Sequence, residues 1–320
     1  MRAIVMSEFG PPAVLVPAEV PDPVAGPGQV VVAVEYAGVT FIETQVRAGR
    51  APNPALAPRL PVVPGNGAGG VVVSVGEGAD PALAGARVVT TTGGSGGYAE
   101  RVAVPAAGLV AVPDGLGLPE AVALLADGRT ALALLRAAAP RTGETVLVEA
   151  AAGGLGSLLV QLAAAAGARA IAAAGSPRKL ALAAELGAAR GVDYGRPDWA
   201  DRLGEAVDVV FDGVGGAVGR AAFGLLRRGG RFCAFGLASG TFTAITGEEA
   251  AGRGVTVVRG LRLEPAEMTA LSSAALAEAA AGRLRPVIGQ TFPLSRAADA
   301  HAAIEARATL GKTLLVVGAR

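Results

Sequence analysis

The sequence predicts an α/β chain in two parts, a β-rich N-terminal part and a doubly wound, parallel-sheet unit. Two observations carry this. Up to about residue 115, short apolar runs alternate with Gly/Pro turns, as in Gln29–Val39 (QVVVAVEYAGV), Gly70–Gly76 (GVVVSVG) and Ala86–Thr92 (ARVVTTT). From about residue 120, apolar strands alternate with longer helical stretches, which is the βαβ pattern of a parallel sheet. A chain of 320 residues has room for two domains of ordinary size.

The strands follow from short, β-branched apolar runs: Thr145–Val148, Ala168–Ala174, Gly191–Tyr194, Val207–Phe211, Arg231–Phe235 and Val255–Val258. Between them, Leu155–Ala166 is rich in good helix formers. Pro177–Leu186 opens with Ser176 as a helix cap and proline in the first turn. Helices are also expected over Pro197–Leu203 and Gly219–Leu226. Residues 264–281 and 297–308 read as helical, and Thr313–Val317 as a closing strand.

Composition excludes several classes. The chain is 52% hydrophobic, enough for large cores, but alanine inflates that figure. Every long apolar stretch is cut by a charge, Gly or Pro within the ~20 residues a membrane span needs. The net charge is +1 with no basic run, which argues against nucleic acid as a partner. The opening MRAIVMSEFG turns polar too soon for a secretory signal. A lone cysteine, Cys233, cannot form an internal disulfide and points to the cytoplasm. His301 is also alone, so a multi-histidine metal site within one chain is excluded, and a Ser-His-Asp triad would have to use it.

The densest signal is VLVEAAAGGLGSLLVQLAAAAGAR, residues 146–169. A buried-type strand meets Gly153, Gly154, Leu155 and Gly156, and a helix follows at once. Glycines let a ligand approach the backbone, and a helix start offers free N–H groups and a positive dipole end. Together they make a seat for a pyrophosphate. The spacing is A-x-G-G-x-G rather than G-x-G-x-x-G, and a tight turn with no ligand is the alternative reading.

Over nearly its full length the chain resembles the medium-chain dehydrogenase/reductase superfamily, and within it the zinc-free quinone oxidoreductases. The resemblance is carried by MRAIVMSEFGPPAVL, PGQVVVAVEYAGVTFIE, PVVPGNGAGGVVVSVGEGA, LLADGRTALALL, VEAAAGGLG, FDGVGG and LGKTLLV, in that order. It implies a GroES-like catalytic domain, residues 1–118 with 259–320, and a Rossmann nucleotide-binding domain inserted as residues 119–258. It also implies that a cleft between the two holds NADPH and substrate.

The cofactor can be argued from residues as well. An Asp or Glu about twenty residues past the glycines would hold the ribose 2′-OH of NAD. Here the second strand ends in Ala174 and Gly175, and Ser176, Arg178 and Lys179 follow. A hydroxyl and two cations suit a 2′-phosphate, so NADPH is expected. Ser176 serves equally as a helix cap, and both roles can hold together. The resemblance adds Tyr194 beside the same phosphate and Thr130 near the nicotinamide. Gly213 and Val214 after the fourth strand, and Gly236 and Ser239 after the fifth, lie where ligands bind in open α/β sheets; turn glycines and capping hydroxyls are the alternatives.

Zinc alcohol dehydrogenases resemble this chain but carry Cys, His-Glu and a second Cys where it has Thr40, Asn66-Gly67 and Ala126. Their four-cysteine lobe is replaced by TTGGSGGYAE. No zinc is therefore expected. Without a Lewis acid, an activated acceptor is the natural substrate, since a few hydrogen-bond donors can hold the oxyanion of a reduced quinone or enone. Thr40 and Asn66 are the candidate donors; satisfying a buried backbone group and forming a turn are their alternative roles. Many quinone reductases have Asn at the Thr40 position and tyrosines at those of Gln45 and Ala51, so ring-stacking surface is missing here. His301 and Cys233 are expected to be structural.

Three functions stay open at this point. They are an NADPH-dependent reductase of quinones or α,β-unsaturated carbonyls, a biosynthetic enoyl or keto reductase acting on a specialised or carrier-bound intermediate, and an NADPH-binding protein without turnover. By resemblance, a homodimer is expected through the strand Gly254–Arg259 (GVTVVR), whose bare edge would otherwise invite uncontrolled pairing.

Overall fold

The computed structural model describes residues 1–318, and statements of absence below concern those residues. In chain order, the first unit contributes strands β1 (Arg2–Met6), β2 (Leu15–Glu19) and β3 (Gln29–Val39), helix α1 (Phe41–Arg47), then β4 (Gly67–Val75), β5 (Arg87–Thr91), β6 (Arg101–Pro105) and β7 (Val110–Ala111). Helix α2 (Leu118–Ala138) follows. Then come β8 (Thr145–Glu149), α3 (Gly154–Ala165), β9 (Arg169–Ala174), α4 (Pro177–Glu185), β10 (Arg190–Asp193), α5 (Trp199–Leu203), β11 (Val207–Asp212), α6 (Gly216–Gly224), β12 (Leu226–Ala234), α7 (Gly247–Arg253) and β13 (Thr256–Arg259). The chain closes with α8 (Pro265–Ala280), β14 (Ile288–Pro293), α9 (Ala297–Glu305) and β15 (Lys312–Val316). Two compact units result: Met1–Arg129 with the residues from Pro265 onward, and Thr130–Glu264.

The first unit is the GroES-like part. Its main sheet runs β14-β15-β3-β4-β5-β7, with β6 also paired to β3. Strand β3 is its spine. Val30, Val32 and Val34 are buried by their alternation and pack with Ile4, Met6, Tyr98 and Leu315. Each such side chain contributes roughly 1.5–3 kcal/mol on burial. The tail joins here, with β15 antiparallel to β3 from Thr313 opposite Val39 to Val316 opposite Tyr36. Gly70 sits where β4 crosses β3, and a Cβ there would overlap the Ala33 carbonyl oxygen.

The second unit is a Rossmann-type doubly wound domain. All its strand pairs are parallel, in the order β10-β9-β8-β11-β12-β13. Counted from β8, that is the 3-2-1-4-5-6 order, which reverses between β8 and β11. All five residues of β8 are buried, as expected of a strand covered on both faces. Phe223 on α6 meets Phe232 on β12 edge to face, with centroids 5.6 Å apart, inside a core with Leu147, Ile171 and Val210.

Several elements depart from the sequence expectation. Helix α6 starts at Gly216 rather than Gly219, because Gly215 and Gly216, at φ +76° and +54°, turn the chain into the helix at once. Strand β12 begins at Leu226, with an irregular register before Arg231. Helices α2 and α7 carry no periodic signal in the sequence.

Candidate functional site

Strand β8 ends at Glu149, and the chain turns through Ala150, whose φ is +49°. Gly153 caps α3 without a side chain. The first bond of the helix ladder runs from the Ser157 N–H to the Gly153 carbonyl, so the amides of Gly154, Leu155 and Gly156 precede it. A Cβ at Gly156 would overlap the Ala150 carbonyl oxygen, so this glycine lets helix and strand pack closely. The seat predicted at 153–156 is thus a bare helix start at the carboxyl edge of a parallel sheet.

The loops after the neighbouring strands β11 and β12 pack on one another. The Ser239 N–H donates to the Val214 carbonyl at 2.8 Å. Gly236 lies so close to Gly213 that no side chain fits. The structure therefore brings Gly213, Val214, Gly236 and Ser239 together, as their positions after β11 and β12 imply. Thr130 stands half-buried within α2.

At the end of β9, Ser176 caps α4 and accepts the Lys179 N–H at 3.4 Å. The Tyr194 ring rests against Gly175, with Cε2 3.1 Å from where a Cβ would stand. Arg178 is exposed and makes no ion pair among the described residues. A hydroxyl and two cations follow this strand and a phenol rests against Gly175; β9 itself ends without a carboxylate, and the nearest acid by register is Asp193 on β10, opposite Ala174. That donor set suits a dinucleotide carrying a 2′-phosphate, and the bare helix start suits its pyrophosphate.

Two acids that the sequence reasoning missed lie beneath these loops. Glu149 and Asp212 end the adjacent strands β8 and β11 and are both fully buried. Asp212 accepts the Gly215 N–H at 2.6 Å, the Val214 N–H at 3.2 Å and the Thr243 hydroxyl at 2.6 Å. Glu149 accepts the same Val214 N–H at 3.1 Å. Burial, and then the neighbouring Asp212, push Glu149 well above the usual carboxylate range. The available signal was an acid closing each of two apolar strands, in TVLVE and VDVVFD.

In the first unit, Thr40 and Asn66 are joined by a third residue, Glu43. Its carboxylate accepts the Thr40 N–H at 2.6 Å, the Thr40 hydroxyl at 2.7 Å and the Asn66 N–H at 2.8 Å. Burial pushes Glu43 upward against the pull of those donors and of Lys312. Asn66 Oδ1 accepts the Gly94 N–H at 2.8 Å. The Thr40 hydroxyl proton is thus engaged locally, while the side-chain amide nitrogen of Asn66 has no protein acceptor among the described residues. Gln45 is buried and donates to the Thr44 hydroxyl.

The donor set does not fit a catalytic zinc. Positions 40, 66 and 126 offer no thiolate, imidazole or carboxylate. His301 is buried on α9, edge to face with Tyr98, and its Nε2 lies 3.1 Å from the Tyr98 hydroxyl. Burial, and then Arg47, lower it to about 3. Cys233 is buried within β12, and desolvation raises its thiol to about 12. Among the described residues, no group of three or more His, Cys, Asp or Glu is placed to hold a metal.

A sheet ordered 3-2-1-4-5-6, with glycine loops along its carboxyl edge, defines a dinucleotide-binding fold. Comparison with known proteins narrows this. Residues 26–114 match the alcohol dehydrogenase GroES-like domain and residues 186–315 the zinc-binding dehydrogenase family. A probable quinone oxidoreductase of Schizosaccharomyces pombe is 36% identical over 97% of this chain and 95% of its own length. A 2-haloacrylate reductase of a Burkholderia species is 33% identical over 99% of both. The structure of Escherichia coli quinone oxidoreductase complexed with NADPH superposes with a TM-score of 0.91 at 30% identity, covering 99% of this chain and 100% of that one. The chain belongs to the quinone oxidoreductase-like family of the medium-chain dehydrogenase/reductase superfamily.

Proposed function

We propose that the chain is an NADPH-dependent, zinc-independent reductase of quinones or α,β-unsaturated carbonyl compounds. The observation that carries this reading is the end of β9, where no acid closes the strand, Ser176, Arg178 and Lys179 follow it, and Tyr194 rests against Gly175. The amides of Gly154, Leu155 and Gly156 receive the pyrophosphate. The loops at Gly213–Val214 and Gly236–Ser239, with Thr130, serve the nicotinamide half. When bound, NADPH supplies the hydride. The side-chain amide of Asn66 donates to the oxygen that gains charge, and Thr40 orders that end through Glu43.

The family relatives support this range of acceptors, since they include quinone oxidoreductases and a 2-haloacrylate reductase. Gln45 and Ala51 in place of stacking tyrosines favour a less aromatic acceptor. In this reading the nucleotide-binding domain is residues 119–258 and takes α2 from its second residue onward, whereas the compact units divide inside that helix. The protein works as a cytoplasmic homodimer joined through β13, which ends the six-stranded sheet.

NADPH oxidation measured against free quinones, enones and thioesters tests the assignment. Turnover of quinones or enones is expected. Turnover of thioesters alone favours the biosynthetic enoyl or keto reductase. Tight NADPH binding with no oxidation across the panel favours a binding protein without turnover.

A further inference from the structure

The loop after β11 is held by two buried acids, Glu149 and Asp212. Asp212 accepts three donors: the Val214 and Gly215 amides and the Thr243 hydroxyl. Glu149 reaches the same Val214 amide, and its other oxygen, Oε1, is buried with no partner. Neither carboxyl forms an ion pair among the described residues. Two buried carboxylates that accept the same amide, with no cation paired to either, cannot both be charged at reasonable cost. Asp212 has the donors that favour its charge. Glu149 has the unmet oxygen, and a proton on Glu149 supplies the missing donor between the two acids.

We propose that Glu149 is a positioning residue: it shares a single proton with Asp212, and that proton holds the Gly213–Gly216 turn in the shape that receives the cofactor. The last clause rests on the cofactor reading above. The turn has little else to define it. Gly215 and Gly216 both have positive φ, a Cβ at Gly215 would overlap the Thr241 carbonyl oxygen, and Gly219 gives Asp212 its room. The Val214 amide, shared by both acids, is the point where loss of the proton would turn attraction into repulsion.

The charged groups on the neighbouring elements are engaged elsewhere. On β9, Ala173 stands in register with Glu149. On β12, Cys233 stands in register with Phe211 and stays a neutral thiol below about pH 12. Arg220 on α6 pairs with Glu249. At the opposite ends of β11 and β8, Asp208 pairs with Arg227, and Glu144, just before β8, pairs with Arg231. Thr243 is the remaining polar contact and does not titrate.

The test uses the ligand-free full chain, wild type and Glu149→Gln, and then NADPH. Glutamine keeps the shape and can donate permanently to Asp212. Infrared spectroscopy of the wild type at pH 7 should show a carboxylic-acid C=O band that is missing from Glu149→Gln; the difference removes any contribution from Glu43. As pH rises and this band bleaches, the Val214 and Gly215 amides should exchange faster, and NADPH affinity should fall at least tenfold. In Glu149→Gln, neither change should occur. The proposal is overturned if the wild type shows no such band at pH 7, or if Glu149→Gln suffers the same alkaline loss. Should the variant not fold, the wild type decides alone: bleaching without faster exchange at Val214 and Gly215 overturns it. If NADPH fails to bind at any pH while band and exchange move together, the cofactor reading fails and the shared proton stands.

Discussion

The ring of Tyr194 lies so close to Gly175 that a single methyl group there would stand 3.1 Å from Cε2. A glycine at the end of β9 thus sets where the phenol sits beside Ser176 and Lys179. Gly175→Ala should displace the ring and weaken NADPH binding while leaving NADH nearly unchanged. Tyr194→Phe should do the same by removing the hydroxyl. A hydrogen bond to a charged group contributes roughly 1.5–3 kcal/mol, so about a tenfold or greater loss of NADPH affinity is expected. Equal losses for NADPH and NADH would remove Tyr194 from the phosphate site.

Gly156 packs against the Ala150 carbonyl with no space for a side chain. Gly156→Ala should therefore destabilise the second unit by about 1–3 kcal/mol even without ligand. Gly154→Val should instead abolish NADPH binding while the first unit still folds. Denaturant unfolding and calorimetry separate these effects. Unchanged NADPH affinity in Gly154→Val would make the seat an empty turn.

His301 confers a pH dependence whose sign is fixed. Its folded value, about 3, lies below the ordinary 6.5, so the unfolded chain takes up a proton that the folded chain refuses. Its contribution is complete above pH 6.5 and is lost as pH falls toward 3. Between pH 8 and pH 5 this removes about 2 kcal/mol for a group with these values. His301→Gln should flatten that part of the profile. An unaltered difference between pH 8 and pH 5 would mean that the buried ring is charged in the folded state.

The proposed dimer joins through β13, which pairs with β12 on one side and ends the sheet. Val257→Pro should split a dimer joined there, because proline removes a ladder donor. Light scattering at micromolar concentration should give about twice the 31.4 kDa chain mass for the wild type. A wild-type mass near one chain contradicts the dimer.

Much of the nucleotide-binding unit could be read from sequence because each element there carries its own chemical mark. Ser176-Pro177 starts α4 where expected, and β8 and β9 end within a residue of their apolar runs. Helix α2 was hidden for the opposite reason. It is apolar on most faces, with Leu124, Ala131 and Leu134 all buried, so no polar stripe reveals its period. Helix α7 has seven residues, too few for a periodic signal. The acid pair was hidden by topology: Glu149 and Asp212 are far apart in sequence and meet only because β8 and β11 are neighbours in the sheet. Thr40 and Asn66 were found as a pair, but the residue that joins them, Glu43, was not.

The most direct test of the NADPH assignment is calorimetric titration of the wild type and Lys179→Glu with NADPH and with NADH. The account predicts that the wild type binds NADPH at least tenfold more tightly than NADH, and that Lys179→Glu removes most of that preference by setting a carboxylate against the 2′-phosphate. Equal affinity of the wild type for the two cofactors, or a preference that Lys179→Glu leaves intact, would contradict it.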